Sequence, residues 1–173
     1  MENHETRPPG PPRGLPIDSD TAGDTVAEGR HRWWAFVRSH ADVLAVISAG
    51  GALGSLGRWS VDELLPWSGT TFPWATFLVN VSGALALGVL MVLVVEVWPP
   101  RRYVRPFVGV GVLGGWTTFS TYVLEARDLL AAGRAATAFA YVGGSLVAGL
   151  VAVWLGIAAA RLLAPGSRRE GAR

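Results

Sequence analysis

The sequence predicts an all-α integral membrane protein with four transmembrane helices, the third of which is broken at its centre. Half of the 173 residues are hydrophobic, and the excess lies in four separate apolar stretches. The third stretch contains Gly114-Gly115 followed by clustered hydroxyl residues up to Tyr122, a pattern that disfavours a continuous helix. Because lipid cannot satisfy the backbone groups that a break frees, the break must face protein, water or an ion.

The chain divides into an N-terminal tail (residues 1–40), a four-helix transmembrane domain (residues 41–164) and a basic C-terminal tail (residues 165–173). The N-terminal tail is rich in proline and polar residues, and we expect it to be disordered because it cannot bury a core. It is either a regulatory docking segment or a solubilising extension. The chain has no cysteine, which excludes disulfides, a thiolate nucleophile and a cysteine metal site. Its net charge of +2 is too small to suggest nucleic acid as a partner.

The first predicted span covers residues 43–65 and carries a row of small residues from Gly50 to Gly57. Small residues at helical spacing allow helices to approach closely in lipid, so these glycines predict helix packing. Arg58 follows them at a depth where a charge needs water, a partner or a route to the interface. It is either an interfacial anchor or a residue of a pore vestibule.

The second predicted span covers residues 74–98 and ends at Pro99-Pro100. Asn80 is the conspicuous polar residue inside it. An intramembrane asparagine either bonds a neighbouring helix or directs its N–H donors into an anion pathway. Glu96, near the end of this span, is expected to pair with Arg101 or Arg102.

The third and fourth predicted spans cover residues 104–130 and 135–163. Glu125 follows the break, and we expect it to cap a helix or to pair with an arginine in a vestibule. On the fourth span Tyr141, Ser145 and Gly149 recur at every fourth position and form one stripe. This stripe serves either hydrogen bonding between helices or a polar track for a solute.

The arginines are distributed unequally between the two sides of the predicted membrane domain. Four spans place both termini and the loop between the second and third spans on one side, which receives twelve of the fifteen arginines. The other side has Arg58, Arg127 and Arg134. The positive-inside rule then predicts cytoplasmic termini for a chain of fixed topology.

Three motifs carry a family resemblance: Gly50-Gly51-x-x-Gly54-x-x-x-Arg58, Thr76-x-x-x-Asn80-x-x-Gly83 and Gly114-Gly115-x-Thr117-Thr118-Phe119-Ser120-Thr121. They occur in order on the first three predicted spans. Together they resemble the CrcB/Fluc family of fluoride channels, and the resemblance covers residues 43–163.

The resemblance implies a multi-pass cell-membrane channel that lowers cytoplasmic fluoride by passive export. Its subunits would form an antiparallel dual-topology dimer, with two pores and a structural Na⁺ at the dimer interface. Main-chain carbonyls of Gly114 and Thr117 would hold the Na⁺, and Arg58 would lie in the vestibule. The implied fluoride pathway consists of Asn80, Phe119, Ser120, Thr121, Tyr122, Tyr141 and Ser145.

Two residues depart from the family pattern. Tyr122 stands where the family has a second pore phenylalanine, and its hydroxyl could change the electrostatics or block the path. Gly149 stands where a hydroxyl residue would extend the polar track. The arginine bias also fits poorly with a chain inserted both ways, so we expect either a homodimer or a heterodimer with an oppositely oriented paralogue.

The physical chemistry of fluoride is consistent with this resemblance. Fluoride is small and tightly hydrated, so a pore must offer donors that replace water without a fixed charge that traps the ion. Amides, hydroxyls and the positive edges of aromatic rings meet this need. The spans show no nucleophile–base pair or phosphate-binding loop, which argues against an enzyme. The alternatives are a small four-helix drug or cation exporter, with Glu125 as its membrane carboxylate, and a non-transporting scaffold.

Overall fold

The computed structural model describes residues 37–99 and 101–163 of the chain. The predicted N-terminal tail (residues 1–40) lies outside the described residues up to residue 36, and the predicted basic tail (residues 165–173) lies wholly outside them. Residues 37–39 form one helical turn. The unit that carries the membrane helices begins at Ala41.

Four helical stretches match the four predicted spans to within two residues at each end. The first is α1 (Ala41–Leu64), and the second is α2 (Trp74–Val92) with a π-helical extension (Leu93–Val97). The third comprises a π-helical segment (Arg105–Val112), the short helix α3 (Leu113–Trp116) and α4 (Ser120–Ala131). The fourth is α5 (Ala135–Leu163). The prediction of an all-helical membrane protein is therefore confirmed.

Within the described ranges, three helical stretches are long and apolar enough to cross a bilayer: Trp74–Val97, Arg105–Ala131 and Ala135–Leu163. Helix α1 is not among them, although its 24 residues are sufficient in length. It is less apolar than the other three, because it contains Asp42, Arg58, Asp62 and Glu63 as well as several glycines and serines. Its role as a fourth span stays a prediction.

Helix α1 packs along the π-helical segment and α3. A Cβ atom added to Gly50 would lie 2.5 Å from the carbonyl oxygen of Phe107, and one added to Gly54 would collide with the carbonyl oxygen of Val112. The two backbones therefore touch where the sequence has small residues. This confirms the predicted packing role of these glycines.

Helix α5 packs against both α2 and α4. The turn between α4 and α5 is tight because Gly133 adopts a positive φ of 71°, and the Arg134 N–H bonds the Leu129 carbonyl at 2.8 Å. This geometry is a common glycine-dependent helix end. Beside it, Tyr141 is fully buried and meets the ring edge of Phe72 at a centroid distance of 5.4 Å.

Ion pairs show which helix ends lie together. Arg102, in the loop after α2, bonds Asp42 of α1 at 2.8 Å, and Arg161 of α5 bonds Glu96 at 2.9 Å. The structure thus pairs Glu96 with Arg161, whereas the sequence predicted Arg101 or Arg102. Glu96 bonds Arg161 because α5 packs along α2 and brings its last turn to that end.

Candidate functional site

The third helical stretch is interrupted at residues 117–119. Helix α3 ends at Trp116, Thr117 is extended with φ −80° and ψ 154°, and α4 begins at Ser120. The interruption follows the two adjacent glycines and falls among the hydroxyl residues.

Asn80 of α2 bonds the main chain of the interruption through both ends of its amide. Its Nδ2 donates to the Thr118 carbonyl at 2.9 Å, and its Oδ1 accepts from the Thr118 N–H at 2.9 Å. The side-chain amide thus replaces a peptide partner for a residue that has left the helix. The second hydrogen on Nδ2 takes part in neither of these two bonds.

The redirected bonds change the partners of two carbonyl groups. In a continuous helix the Thr118 N–H would bond the Gly114 carbonyl, but here it bonds Asn80. The Thr121 N–H would likewise bond the Thr117 carbonyl, but it bonds Thr118 Oγ1 at 3.3 Å. Gly114 and Thr117 are the two residues whose carbonyls the family resemblance assigns to Na⁺.

The Gly115 carbonyl between them accepts a bond from Arg58. The Arg58 Nε lies 3.1 Å from that oxygen, so the guanidinium reaches the interruption from α1. This contact gives the partly buried arginine a partner within the protein. The expected vestibule role of Arg58 stays a prediction.

Thr118 connects the hydroxyl residues of the interruption. Its Oγ1 donates to Thr121 Oγ1 at 3.1 Å and lies 3.4 Å from Ser120 Oγ. Sequence reasoning did not single out Thr118 from its motif. The feature that could have indicated its role is its position between the paired glycines and the following helix, where a threonine can cap that helix.

An open cavity of about 540 Å³ lies beside the interruption, and we call it the pathway cavity. None of the described residues that line it is charged. Its walls include these predicted site residues: Asn80, Gly114, Thr117, Phe119, Tyr122 and Ser145. The Phe119 side chain is 77% exposed, and its ring centroid lies 5.9 Å from that of Tyr122.

Ser145 and Tyr122 contribute differently to this cavity. Ser145 is one of the residues that line the cavity, and its Oγ is a buried atom without a hydrogen-bond partner among the described residues. The Tyr122 hydroxyl donates to the Val142 carbonyl at 3.1 Å. Tyr122 therefore presents its ring to the cavity while its hydroxyl is bonded to α5.

Tyr141 belongs to a separate buried cluster and does not line the pathway cavity. Its hydroxyl donates to Glu125 Oε2 at 2.7 Å, and the Thr76 hydroxyl donates to Glu125 Oε1 at 2.9 Å. The expectation that Glu125 pairs with an arginine is wrong, because two hydroxyls bond its carboxyl group instead. The sequence signal for Thr76 was its spacing of four residues from Asn80, which places both on one face of α2.

These features define a multi-pass helical membrane protein with an uncharged cavity at an interrupted helix. The chain belongs to the CrcB-like protein family, Camphor Resistance (CrcB), whose model matches residues 45–157.

Three relatives are named as fluoride-specific ion channels. One, FluC 2 of Nocardia farcinica, is 50% identical over 127 residues, which cover 73% of this chain and 91% of the relative. FluC 3 of Streptomyces avermitilis is 48% identical over 76% of this chain and 64% of the relative. FluC 2 of the same organism is 45% identical over 69% of this chain and 73% of the relative.

Proposed function

We propose that this chain is a fluoride-selective channel of the cell membrane that exports fluoride passively. The observation that carries the proposal is the uncharged pathway cavity beside the interruption, in a chain similar to proteins named fluoride-specific channels. A hydrated anion needs donors and aromatic edges in its path, and a fixed cation there would hold it too long.

The chemistry of the pathway residues supports this reading. The Asn80 amide retains one N–H beyond its two bonds to Thr118, and Ser145 contributes a hydroxyl that is not bonded within the described protein. Phe119 and Tyr122 contribute ring edges, which carry partial positive charge. Ser120 and Thr121 do not line the pathway cavity, but their hydroxyls contact Thr118, which does.

A structural Na⁺ is part of this proposal. The carbonyls of Gly114 and Thr117 fit a cation because their usual helical donors bond Asn80 and Thr118 instead. A hard cation binds such oxygen ligands. Its role would be to satisfy backbone oxygens that lipid cannot. Replacing Na⁺ by a large organic cation should dissociate the dimer or abolish fluoride efflux, and a dimer that stays intact and active would exclude the site.

The assembly we propose is an antiparallel dimer in which α1 is the fourth membrane span. Gly114 lies on the exposed surface of the described chain, and an added Cβ there meets no described atom within 4 Å, so its backbone is accessible to a second subunit. Two relatives from one organism support pairing between paralogues as the alternative to a homodimer. With a fixed topology, the arginine bias places both termini in the cytoplasm.

The test is fluoride efflux from liposomes that contain this chain alone, with Na⁺ present and chloride as the control ion. Fast fluoride loss with little chloride loss would establish a self-assembled channel. Efflux that requires a co-expressed paralogue would establish a heterodimer. No efflux in either case would refute the proposed function.

The same liposomes separate a channel from an exporter that uses Glu125. An exporter coupled to protons would need an imposed pH gradient to move its substrate against a concentration gradient. A channel dissipates a fluoride gradient without one. Efflux that depends on the pH gradient would contradict the channel.

A further inference from the structure

A second cavity lies at the end of the membrane domain where the α2 extension and the π-helical segment meet. Its volume is about 520 Å³, and it is lined by Val94, Arg101, Arg102, Arg105 and Pro106. We call it the arginine pocket. It shares no lining residue with the pathway cavity, so the proposed ion path does not account for it.

The arginine pocket has more cationic than anionic groups. Arg102 is bonded to Asp42 at 2.8 Å, with 61% of its side chain exposed. Arg105 donates to the Val94 carbonyl at 3.4 Å, which is near the outer limit of a hydrogen bond. Within the described part of the chain Arg101 has no ion-pair partner. Among the described residues, two of the three guanidinium groups therefore lack a carboxylate partner.

Tyr103 adds no negative charge to this region. Its hydroxyl donates to Asp42 Oδ2 at 2.7 Å, and this bond raises the pKa of the Tyr103 phenol above its usual value. The phenol is therefore neutral at physiological pH. An anion that enters the pocket meets the guanidinium groups of Arg101 and Arg105 with little competition.

The position of the pocket indicates the kind of anion. Val94 belongs to the stretch Trp74–Val97 and Pro106 to the stretch Arg105–Ala131, and both stretches can cross a bilayer. The apolar part of the wall therefore belongs to candidate membrane helices, while the arginines lie at or just beyond the ends of these stretches, where headgroups are expected. Trp98, exposed at the same end, is typical of this boundary.

We propose that the arginine pocket binds the phosphate of an anionic phospholipid headgroup. Guanidinium groups bind phosphate oxygens in pairs of parallel hydrogen bonds, and basic pockets between membrane helices suit such headgroups. A soluble phosphate would use the arginines alone, whereas a lipid also uses the apolar wall. Fluoride is not involved, so the proposal does not depend on the proposed channel function.

The test is native mass spectrometry of the full chain in detergent, titrated with phosphatidylglycerol and, separately, with phosphatidylcholine. The variant Arg101→Gln/Arg105→Gln should bind phosphatidylglycerol about 25-fold more weakly, because each basic side chain near an anionic lipid contributes about fivefold. The matched control is Arg127→Gln/Arg134→Gln, which removes the same charge from two exposed arginines elsewhere in the chain. It should bind like the wild type.

Three other outcomes would overturn the proposal. Equal weakening in both double variants would indicate nonspecific attraction. Equal binding of the two lipids would remove the role of headgroup charge. Displacement of phosphatidylglycerol by millimolar inorganic phosphate would assign the pocket to a soluble anion. If the double variant elutes as an aggregate, the exposed single change Arg101→Gln replaces it and should weaken binding about fivefold.

Discussion

Replacing Asn80 with alanine removes two bonds from the interruption, both 2.9 Å long. The N–H and carbonyl of Thr118 then lose their protein partners. A buried polar group left unpaired costs about 1–3 kcal/mol. Because Thr118 is only partly buried and lines a cavity that water can enter, we take the low end for each group and expect a loss of about 2 kcal/mol.

This loss should reduce the population of chains in which the interruption has the described geometry. A change of about 2 kcal/mol corresponds to about 30-fold in an equilibrium. We therefore expect fluoride efflux per liposome to fall, by at most about 30-fold, with the chain still folded by size-exclusion chromatography. The matched control is Leu78→Ala, two residues away on α2, whose side chain is 46% exposed and should leave efflux within about twofold. Wild-type efflux from Asn80→Ala would refute the role of this amide.

Three further changes test the packing and the orientation. Tyr122→Phe should keep efflux within about twofold of wild type, because the lost hydroxyl bonds a main-chain carbonyl; a tenfold change in an efflux assay would contradict this. Gly54→Ala should destabilise the chain by about 1–3 kcal/mol in thermal unfolding. The control Gly51→Ala should not, because a Cβ added to Gly51 has no described atom within 4 Å. Equal effects of the two substitutions would contradict the close packing at Gly54. Because the chain has no cysteine, Thr70→Cys and Ala41→Cys each introduce a single reactive thiol. The two variants should react with an impermeant maleimide in intact cells to different extents if the topology is fixed, and to the same extent if it is dual.

The positions of the helices were predictable because each is a long apolar stretch with clear ends. The second helical stretch ends at Val97, just before Pro99, and α5 begins after the glycine turn at Gly133. The π-helical segment Arg105–Val112 was not predictable, because its apolar composition suits any helix. Hydrophobic patterning gives the existence and ends of a helix but not its exact turn geometry.

The sequence predicted which residues form the candidate site better than it predicted their hydrogen-bond partners. The sequence indicated Asn80 and the interruption, since a polar amide and paired glycines stand out among apolar residues. It left open whether Asn80 bonds a helix, and the structure shows that it bonds Thr118. The cluster of Thr76, Glu125 and Tyr141 was missed as a unit because its members come from three helical stretches, and only tertiary packing brings them together.

Side chains from other helices hydrogen-bond the main chain at the interruption. Asn80 comes from α2, and Arg58 comes from α1. Alone in a bilayer, the third stretch has no such partners, and its backbone groups are best satisfied by a continuous helix. An isolated peptide of this stretch is therefore expected to form a continuous helix in a bilayer. The interruption depends on the packing of α1 and α2 against it.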